Sequence, residues 1–405
     1  MFLVQLKVHI SQFLKCPQCV CPKLAVLLQI CPMNGRAKTY TAVGQMSGTS
    51  GDGSDWASVD FTLNPDDSWR YEIRKAQTFP YSDEWSERLF NAPHLDALAY
   101  AELERDYEQL LAEQYAEFAQ NPDAVEKTES RLLNSGIGEF PETKPHIIGI
   151  HGHTVWHQPE ADLTTALGMG HELHAKTGIP VASQFRKGDV ALGGQGAPLV
   201  PIGDQLLFPA YDACINLGGV MNISLEKTGK RWAYDVGICN LALNRLAGKM
   251  GMAYDRDGAL GARFQPDEAL LRKLNNLDYH HKAPPKSIGR EWAEAYVFPL
   301  IDAYEPGIAL ATVYAYIADQ IAREVRIHGL QNVLITGGGA RNTHLINVLQ
   351  EAGVPFHVPE VLLVDFKEAL IFAFLGLLRI MGRTNVLAHA TGASKDHCSG
   401  VLLGG

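Results

Sequence analysis

Three short glycine-rich turns, each directly after an apolar strand-like run, restrict the folds open to this chain more than any other sequence feature. The first turn, residues 47–53, lies between two runs with the alternation typical of β-strands. The second, residues 218–219, is flanked in the same way. The third, residues 337–339, follows a strand-like run but precedes a segment, from Ala340 onward, with a helical pattern. The chain therefore carries two strand–glycine–strand turns and one strand–glycine–helix turn.

The backbone of such turns is open to ligands because the side chains are small. Consecutive N–H groups can converge on an anion, and a helix that begins at glycines offers free N–H donors and a flat approach for a nucleotide. A Walker phosphate loop is excluded at residues 47–53, since that motif requires a lysine and a following helix. Taken singly, each turn is also compatible with an ordinary hairpin or α/β connection.

Length and charge narrow the class of protein further. At roughly 100–200 residues per domain, a chain of 405 residues should form two or three domains. A formal charge of −10 provides no basic field for a nucleic-acid backbone. The most apolar segment, Ala369 to Met381, is shorter than the roughly 20 residues of a membrane span, and we predict a buried helix there. We therefore expect no nucleic-acid or membrane partner, and we predict a cytoplasmic protein.

Residues 1–38 differ in composition from the rest of the chain. Their cysteines, Cys16, Cys19, Cys21 and Cys31, match neither a disulfide framework nor a complete zinc site. The segment also lacks the order of parts of a signal peptide. Because Met33 stands shortly before the first strand-like run, a mis-assigned start codon would explain this extension. We treat residues 1–38 as an N-terminal extension and predict that it is dispensable.

Further short blocks follow the first turn in order along the chain, at 150–155, 184–189, 193–201, 216–219, 286–291, 337–342 and 391–393. Together with Met-Ser-Gly-Thr-Ser-Gly-Asp-Gly at 46–53, they resemble the signature blocks of the anhydro-N-acetylmuramic acid kinase family, over nearly everything from Gly44 onward. The chain departs from the family pattern at Gln184, where the family has Asp, and at His153, where it has Gln. A third departure lies in the turn 235–240, which lacks the family's Thr and one Gly.

The resemblance implies the actin-like superfold, an α/β fold in which two ribonuclease H-like domains close on ATP between them. We accordingly predict an N-terminal ATPase domain over residues 39–209, with the first phosphate loop and the catalytic Asp. A C-terminal ATPase domain over 210–405 would hold the second phosphate loop and the adenosine motif. Long amphipathic stripes at 103–118 and 313–325 support this class. A homodimer is a further expectation.

The resemblance implies that the three glycine turns together form the ATP site. Their backbone N–H groups would grip the phosphates, and the hydroxyls of Thr49 and Ser50 would add donors. A carboxylate beside phosphate implies an intervening Mg²⁺ or a structural role in the turn, and we place the Mg²⁺ at Asp52. The predicted nucleotide-binding residues are Gly48, Thr49, Ser50, Gly51, Asp52, Gly53, Ser54, Asp55, Gly218, Gly219, Gly337, Gly338 and Gly339.

Asp189 is the predicted catalytic base. The resemblance places the catalytic carboxylate here, and an Asp beside a desolvated sugar can accept a proton if its pKa is tuned toward neutrality. The structural alternative is a turn-forming Asp paired with Arg186 or Lys187, and Asp235 is the second candidate for the base. The predicted sugar-binding residues are His151, Arg186, Gln195, Asp235, Arg290 and Glu291.

Two of these groups allow other interpretations. His151, His153 and His157 invite a zinc site, but a kinase of this superfold needs no transition metal, and such a histidine more often bonds a ligand or a carbonyl. A paired Arg290 and Glu291 could hold a carboxylate and a hydroxyl of the sugar, or could simply tie down their loop.

The predicted function is an Mg-ATP kinase in peptidoglycan recycling that opens a 1,6-anhydro amino sugar with water and phosphorylates O6, as the resemblance implies. Two alternatives stay open at this point. One is a plain sugar kinase, in which Asp189 deprotonates a free hydroxyl. The other is a non-catalytic ATP- and sugar-binding sensor, suggested by the altered turn 235–240 and opposed by the retained Asp189.

Overall fold

A computed structural model describes residues 36–48, 51–121, 144–284 and 286–404. Residues 1–35 of the predicted extension, and Thr49 and Ser50 of the first turn, lie outside the described residues. The strands are β1 (Lys38–Ser47), β2 (Gly53–Leu63), β3 (Trp69–Pro80), β4 (Ile147–Ile150), β5 (His153–Gln158), β6 (Leu163–Leu167), β7 (Val181–Ser183), β8 (Ala213–Leu217), β9 (Val220–Lys227), β10 (Lys230–Ile238), β11 (Val333–Thr336), β12 (Phe356–His357) and β13 (Val401–Leu403).

Most segments between the strands are helical. The α-helices are α1 (Asp83–Asn91), α2 (Ala97–Gln120), α3 (His171–Thr177), α4 (Phe185–Val190), α5 (Pro201–Leu207), α6 (Asn240–Lys249), α7 (Glu268–Asn275), α8 (Arg290–Trp292), α9 (Phe298–Ile301), α10 (Pro306–His328), α11 (Thr343–Glu351), α12 (Val361–Ile380) and α13 (Ala388–Thr391). A π-helical turn, Ala293–Val297, joins α8 to α9. None of the helices in the described ranges combines the length and apolarity needed to cross a bilayer.

Two sheets built to the same plan organise these elements. In the first sheet the order is β3-β2-β1-β4-β7, with β1 to β3 antiparallel and β4 and β7 parallel to β1. In the second sheet β10-β9-β8-β11-β12 repeats that order and those directions. The first three strands of each sheet need only tight hairpins, whereas each parallel strand needs a crossover connection. This repeat confirms the predicted α/β fold with two ATPase-like sheets.

The C-terminal part of the chain returns to the first sheet. Helix α12 packs on β1, β2 and β4, and β13 pairs antiparallel with β7. The approach of α12 is so close that a Cβ on Gly44 would lie 1.8 Å from the backbone oxygen of Ala369. A Cβ on Gly149 would lie 2.0 Å from that of Phe372. Only glycine at these two strand positions lets the helix backbone rest on the sheet.

This return bears on the predicted domain limits. The limits 39–209 and 210–405 stay a prediction, but the structure places α12 and β13, which fall in the second range, against the first sheet. Helix α12 also contacts β11 of the second sheet, so it touches both halves.

Both amphipathic helices that the sequence predicts are present. Helix α2 starts at the N-cap Asp96 and buries Leu103, Tyr107, Leu111 and Phe118. Helix α10 buries the 313–325 stripe and ends at Gly329, whose φ of +64 is a C-terminal cap conformation that favours glycine. The segment predicted as a buried helix, Ala369 to Met381, lies almost entirely in α12.

Candidate active site

The first glycine turn joins β1 to β2 beside the start of α1. Gly51 has a φ of +66, which favours glycine, and its N–H donates to the carbonyl of Gly48 at 3.3 Å. The hydroxyl of Ser86 in α1 donates to the carbonyl of Gly51 at 2.8 Å. The turn is thus anchored by its carbonyls. The predicted donor role of Thr49 and Ser50 falls on residues outside the described ranges.

A buried hydrogen-bonded cluster lies beneath this turn. The hydroxyl of Tyr81 donates to Ser47 Oγ at 2.9 Å, and Ser47 Oγ lies 3.3 Å from Nδ1 of His153. The side-chain oxygen of Gln45 accepts from the N–H of Gly152 at 3.0 Å. Burial lowers the pKa of His153 to about 4, so its imidazole is neutral at neutral pH. The cluster ties the first turn to the His-Gly-His block that follows β4.

Negative charge collects at the end of this turn. Asp55 accepts a hydrogen bond from Thr78 Oγ1 at 2.6 Å. Burial nevertheless raises the pKa of Asp55 to about 6, and the charges of Asp52, Glu368 and Asp365 push it in the same direction. Two of these acids belong to α12, so the start of that helix faces the first turn.

The second and third glycine turns lie against each other. A Cβ on Gly337 would lie 3.0 Å from the backbone of Leu217, and a Cβ on Gly339 would lie 2.7 Å from the Leu217 side chain. The N-terminus of α6 braces the second turn, since Asn240 donates from its backbone to the carbonyl of Gly218 at 3.1 Å and from its side chain to the carbonyl of Leu217 at 2.9 Å. Two of the three turns that we predict to form the ATP site therefore lie side by side.

The segment after the third turn departs from the sequence prediction. We predicted a helix from Ala340 onward, but Gly338–Arg341 forms a 3₁₀ turn and α11 begins only at Thr343. The reason is Asn342, whose side chain accepts a hydrogen bond from the first turn of α11 and caps it. An ion pair between Arg341 and Asp365 connects this turn to α12. The first and third glycine turns thus face α12, and the second turn lies against the third.

Asp189 lies at the end of α4 and is fully buried, with 0% of its surface exposed. Its Oδ2 accepts from the N–H of Gly196 and its Oδ1 from the hydroxyl of Thr391, both at 2.7 Å. A Cβ on Gly194 would lie 2.2 Å from Oδ2, so a larger residue there would displace the carboxylate. Because each carboxylate oxygen can accept two hydrogen bonds, each retains one further acceptor position.

The hydrogen bonds of Arg186 go to groups other than the Asp189 carboxylate. Its Nη1 donates to the carbonyl of Gly196 at 2.8 Å and its Nη2 to Nε2 of His151 at 2.9 Å. His151 therefore carries its proton on Nδ1, which donates to the carbonyl of Gly152 at 2.8 Å. Burial and the adjacent charge of Arg186 lower the pKa of His151 to about 3, so the ring is neutral. The structure brings His151, Arg186 and Asp189 together around Gly196.

Gln195 lies beside Thr391, and Asp235 lies on the strand that α13 contacts. The N–H of Gln195 donates to the carbonyl of Thr391 at 2.7 Å. Helix α13, which ends at Thr391, packs on β10, the strand that carries Asp235. Asp235 Oδ2 accepts from Ser287 Oγ and from the N–H of Ile288, both at 2.9 Å, and burial raises the pKa of Asp235. Both of these donors hold the Asp235 side chain against the loop that contains residues 287–288.

Arg290 and Glu291 do not form an ion pair with each other. Arg290 instead donates to Glu294 Oε1 at 2.9 Å, one helical turn further on, where an i,i+4 neighbour is in reach. Arg290, Glu291 and Glu294 are all exposed. The three histidines of the zinc alternative also have other partners, and no metal-binding group of three or more His, Cys, Asp or Glu side chains occurs in the described ranges.

Sequence reasoning missed two residues at this site. Thr391 bonds Asp189 across 202 positions of sequence, a distance at which no local pattern signals contact, although its block 391–393 was among the family matches. Glu368 was not singled out at all. Its negative charge acts on Asp55, and the charges of Lys367 and Arg186 oppose the burial that raises the pKa of Glu368. Its only sequence signal was its place in a short charged stretch, with Asp365 and Lys367, before an apolar segment.

Two ATPase-like sheets, three glycine turns that follow their strands and a buried carboxylate are the features of a two-domain kinase, a phosphotransferase that uses ATP. The model of the family described as anhydro-N-acetylmuramic acid kinase matches residues 40–404, and the chain belongs to that family. Its biological role is accordingly that of an ATP-dependent kinase in amino-sugar recycling.

Relatives named anhydro-N-acetylmuramic acid kinase match along almost their whole length. The one from Trichormus variabilis is 34% identical over 89% of this chain and 95% of its own length. The one from Azorhizobium caulinodans is also 34% identical, over 89% of this chain and 98% of its own. Among solved structures, a ROK family glucokinase from Streptomyces griseus in complex with glucose and AMPPNP aligns with a TM-score of 0.37 at 11% identity, covering 83% of this chain and 99% of that one. The fold assignment depends on the strand order and the family, not on that alignment.

Proposed function

We propose that this kinase opens 1,6-anhydro-N-acetylmuramic acid with water and transfers the γ-phosphoryl group of Mg-ATP to the O6 that is released. The observation that supports this most is the setting of Asp189. A fully buried carboxylate, held through both oxygens by Gly196 and Thr391, with the guanidinium of Arg186 donating to the same Gly196, is positioned as a general base rather than as a surface charge.

In the proposed reaction Asp189 takes a proton from water as the water attacks C1 of the sugar. The C1–O6 bond breaks, and O6 becomes the nucleophile for phosphoryl transfer. One base thus serves both ring opening and transfer. Because phosphoryl transfer needs positioning and charge neutralisation more than covalent help, the remaining residues need only hold the two substrates in line.

The nucleotide would lie along the three glycine turns. We assign the phosphates to the backbone of Gly48–Gly53 and Gly218-Gly219, and the adenosine side to residues 337–339. Asn240 keeps the carbonyl of Gly218 occupied, which leaves the N–H groups of that turn to face the ligand.

Magnesium fits the acidic end of the first turn. The pKa of Asp55 is raised by burial and by the charge of Asp52 and two further acids, and a divalent cation would relieve this repulsion. Mg²⁺ keeps several waters and binds through one or two carboxylates plus phosphate oxygens, so it does not need a cage of protein ligands. Asp52, with Asp55 behind it, would hold the ion, and its chemistry would be neutralisation of phosphate charge.

The sugar would lie between Asp189 and Asp235. Arg186 is suited to a carboxylate or hydroxyl of the sugar. We propose that His151 acts mainly by orienting Arg186, since both ring nitrogens are engaged within the chain. Gln195, Asp235, Arg290 and Glu291 complete the proposed set. A cytoplasmic location and a homodimer are also part of the proposal.

A coupled ADP-release assay tests the substrate. Activity on anhydro-N-acetylmuramic acid, with little on levoglucosan or free hexosamines, is the expected result. Preference for a free hexosamine would indicate a plain sugar kinase, and ATP and sugar binding without ADP release would indicate a sensor. Reaction in ¹⁸O-water tests the mechanism, because water attack at C1 places the label at C1 and none in the transferred phosphate.

A further inference from the structure

The imidazole of His397 faces Asp189, the predicted base, and has no role in the proposed reaction so far. Its Nε2 lies 3.7 Å from Oδ1 of Asp189, and the His397 side chain is 8% exposed. That nitrogen is buried and has no hydrogen-bond partner within the part of the chain that the structure describes. A buried polar atom without a partner is uncommon and requires an explanation.

The backbone holds His397 firmly in this position. Its carbonyl accepts from the N–H groups of Asn385 and Val386, both at 3.1 Å, and its own N–H donates to the carbonyl of Val386 at 3.2 Å. The other ring nitrogen, Nδ1, lies 3.1 Å from the carbonyl of Lys395. Because a carbonyl only accepts, the neutral ring carries its proton on Nδ1, and Nε2 faces Asp189 with a free lone pair.

The proposed reaction creates a need for such a group. When water attacks C1, one of its hydrogens stays in the new C1 hydroxyl and the other passes to Asp189. Each turnover therefore leaves one proton on a carboxylate that has 0% of its surface exposed. The carboxylate must lose this proton before it can act again, and Gly196 and Thr391 already occupy one acceptor position on each oxygen.

We propose that His397 is a positioning residue that carries this proton from Asp189 to solvent. In this step the O–H bond of protonated Asp189 breaks and an N–H bond forms at Nε2 of His397. The imidazolium side chain then rotates toward the exposed Lys395 and gives the Nε2 proton to water, which leaves the neutral ring in its first tautomer. The 3.7 Å gap is only slightly longer than a hydrogen bond of about 2.7–3.0 Å, so a small side-chain rotation closes it.

This inference rests on the proposed function, in which Asp189 is the base. It does not depend on which sugar is used, because a base that deprotonates a plain hydroxyl must lose the same proton. The inference differs from a structural role for His397 in one measurable way. A lost proton relay can be replaced by a small diffusing buffer, whereas a lost packing contact cannot.

The test measures kcat and KM for His397→Ala at increasing imidazole concentration, with the sugar that the native chain turns over fastest. We expect kcat to fall about 10–100-fold with little change in either KM, and imidazole to restore much of it, because the removed ring leaves an opening from the exposed 395–396 segment toward Asp189. Native kcat should not depend on imidazole. Native-like kcat in the variant, or a loss that imidazole does not restore, would overturn the relay.

Three further variants keep the test decisive. His397→Gln retains the shape and should keep its Tm while losing kcat, which covers the case in which the alanine variant fails to fold. His397→Ala combined with Asp189→Asn should lose no more than Asp189→Asn alone, because the relay acts only through that base. His357→Ala removes an exposed ring that stacks on Tyr211 in the second sheet, and it should give a kcat independent of imidazole.

The outcomes also separate this inference from the proposed function. An active native chain with fully active His397 variants overturns the relay alone. A native chain that turns over no sugar overturns the proposed function and the relay together.

Discussion

The two halves of this kinase have the same strand order but contribute differently to the site. In the first half Asp52 lies in the turn after β1, Asp55 lies at the start of β2, and α4 carries the buried Asp189. In the second half the corresponding turn is two bare glycines, braced by Asn240 and pressed against residues 337–339. A repeated backbone therefore does not repeat the chemistry. One half is suited to supply reactive and charged side chains, and the other to supply a backbone surface for the nucleotide.

The largest expected effect tests whether the chemistry belongs to the first half. Asp189→Asn should lower kcat by about 10²–10⁴-fold, the usual contribution of a general base, with ATP affinity little changed. The fold should tolerate the change, since the amide oxygen can accept from Gly196 and the amide NH₂ can donate to the hydroxyl of Thr391. Steady-state kinetics and the Tm of the variant check both points. Near-native turnover would move the base to Asp235 and to the second half.

The next largest effect tests a buried ion pair made by α12, the helix that contacts both halves. Lys367 of α12 and Asp204 of α5 form an ion pair at 2.7 Å, with both side chains buried. Lys367→Met leaves Asp204 as an uncompensated buried charge, which should cost about 3–5 kcal/mol of unfolding free energy. Urea unfolding measures the loss. The double variant Lys367→Met, Asp204→Leu should recover much of it, and a double variant no better than the single one would refute the pair as the cause.

Two glycine variants separate the contribution of residues 337–339 to stability from their proposed contribution to nucleotide binding. A Cβ on Gly339 would lie 2.7 Å from the Leu217 side chain, so Gly339→Ala should lower stability by about 1–3 kcal/mol even without nucleotide. A Cβ on Gly338 would meet only Asn240, at 3.8 Å, so Gly338→Ala should leave the Tm unchanged.

If the open side of Gly338 faces ATP, that same variant should raise the KM for ATP about 10-fold while kcat stays close to native. Thermal unfolding without ligand and ATP titration distinguish the two variants. An unchanged KM for ATP in Gly338→Ala would remove residue 338 from the nucleotide surface.

The difference between local sequence patterns and long-range contacts explains which parts of the fold and of the site could be predicted from the sequence. The strands around each glycine turn and the helices α2 and α10 follow from local periodicity, and all of them are present. The start of α11 was missed because a single capping residue, Asn342, outweighed the helical pattern before it. Thr391 and His397 could not be placed from spacing, since the chain returns to the first half only after passing through the second. Contacts made by such a return depend on topology, which no local pattern contains.

The smallest expected effect concerns the charge at the first turn and its sign with pH. Burial raises the pKa of Asp55 from 3.8 to about 6, so the folded chain holds this proton more tightly than the unfolded chain does. Stability therefore falls as pH rises between these two values, and the full cost of the charge is present above pH 6. Asp55→Asn removes that cost and should stabilise the chain by about 1–2 kcal/mol at pH 7.5, with the gain vanishing toward pH 4. Thermal unfolding across pH measures the gain. Saturating Mg²⁺ with an ATP analogue should reduce this gain in stability, because the cation neutralises the same carboxylate in the native chain. A gain that is independent of pH would show that Asp55 is not held in a repulsive site.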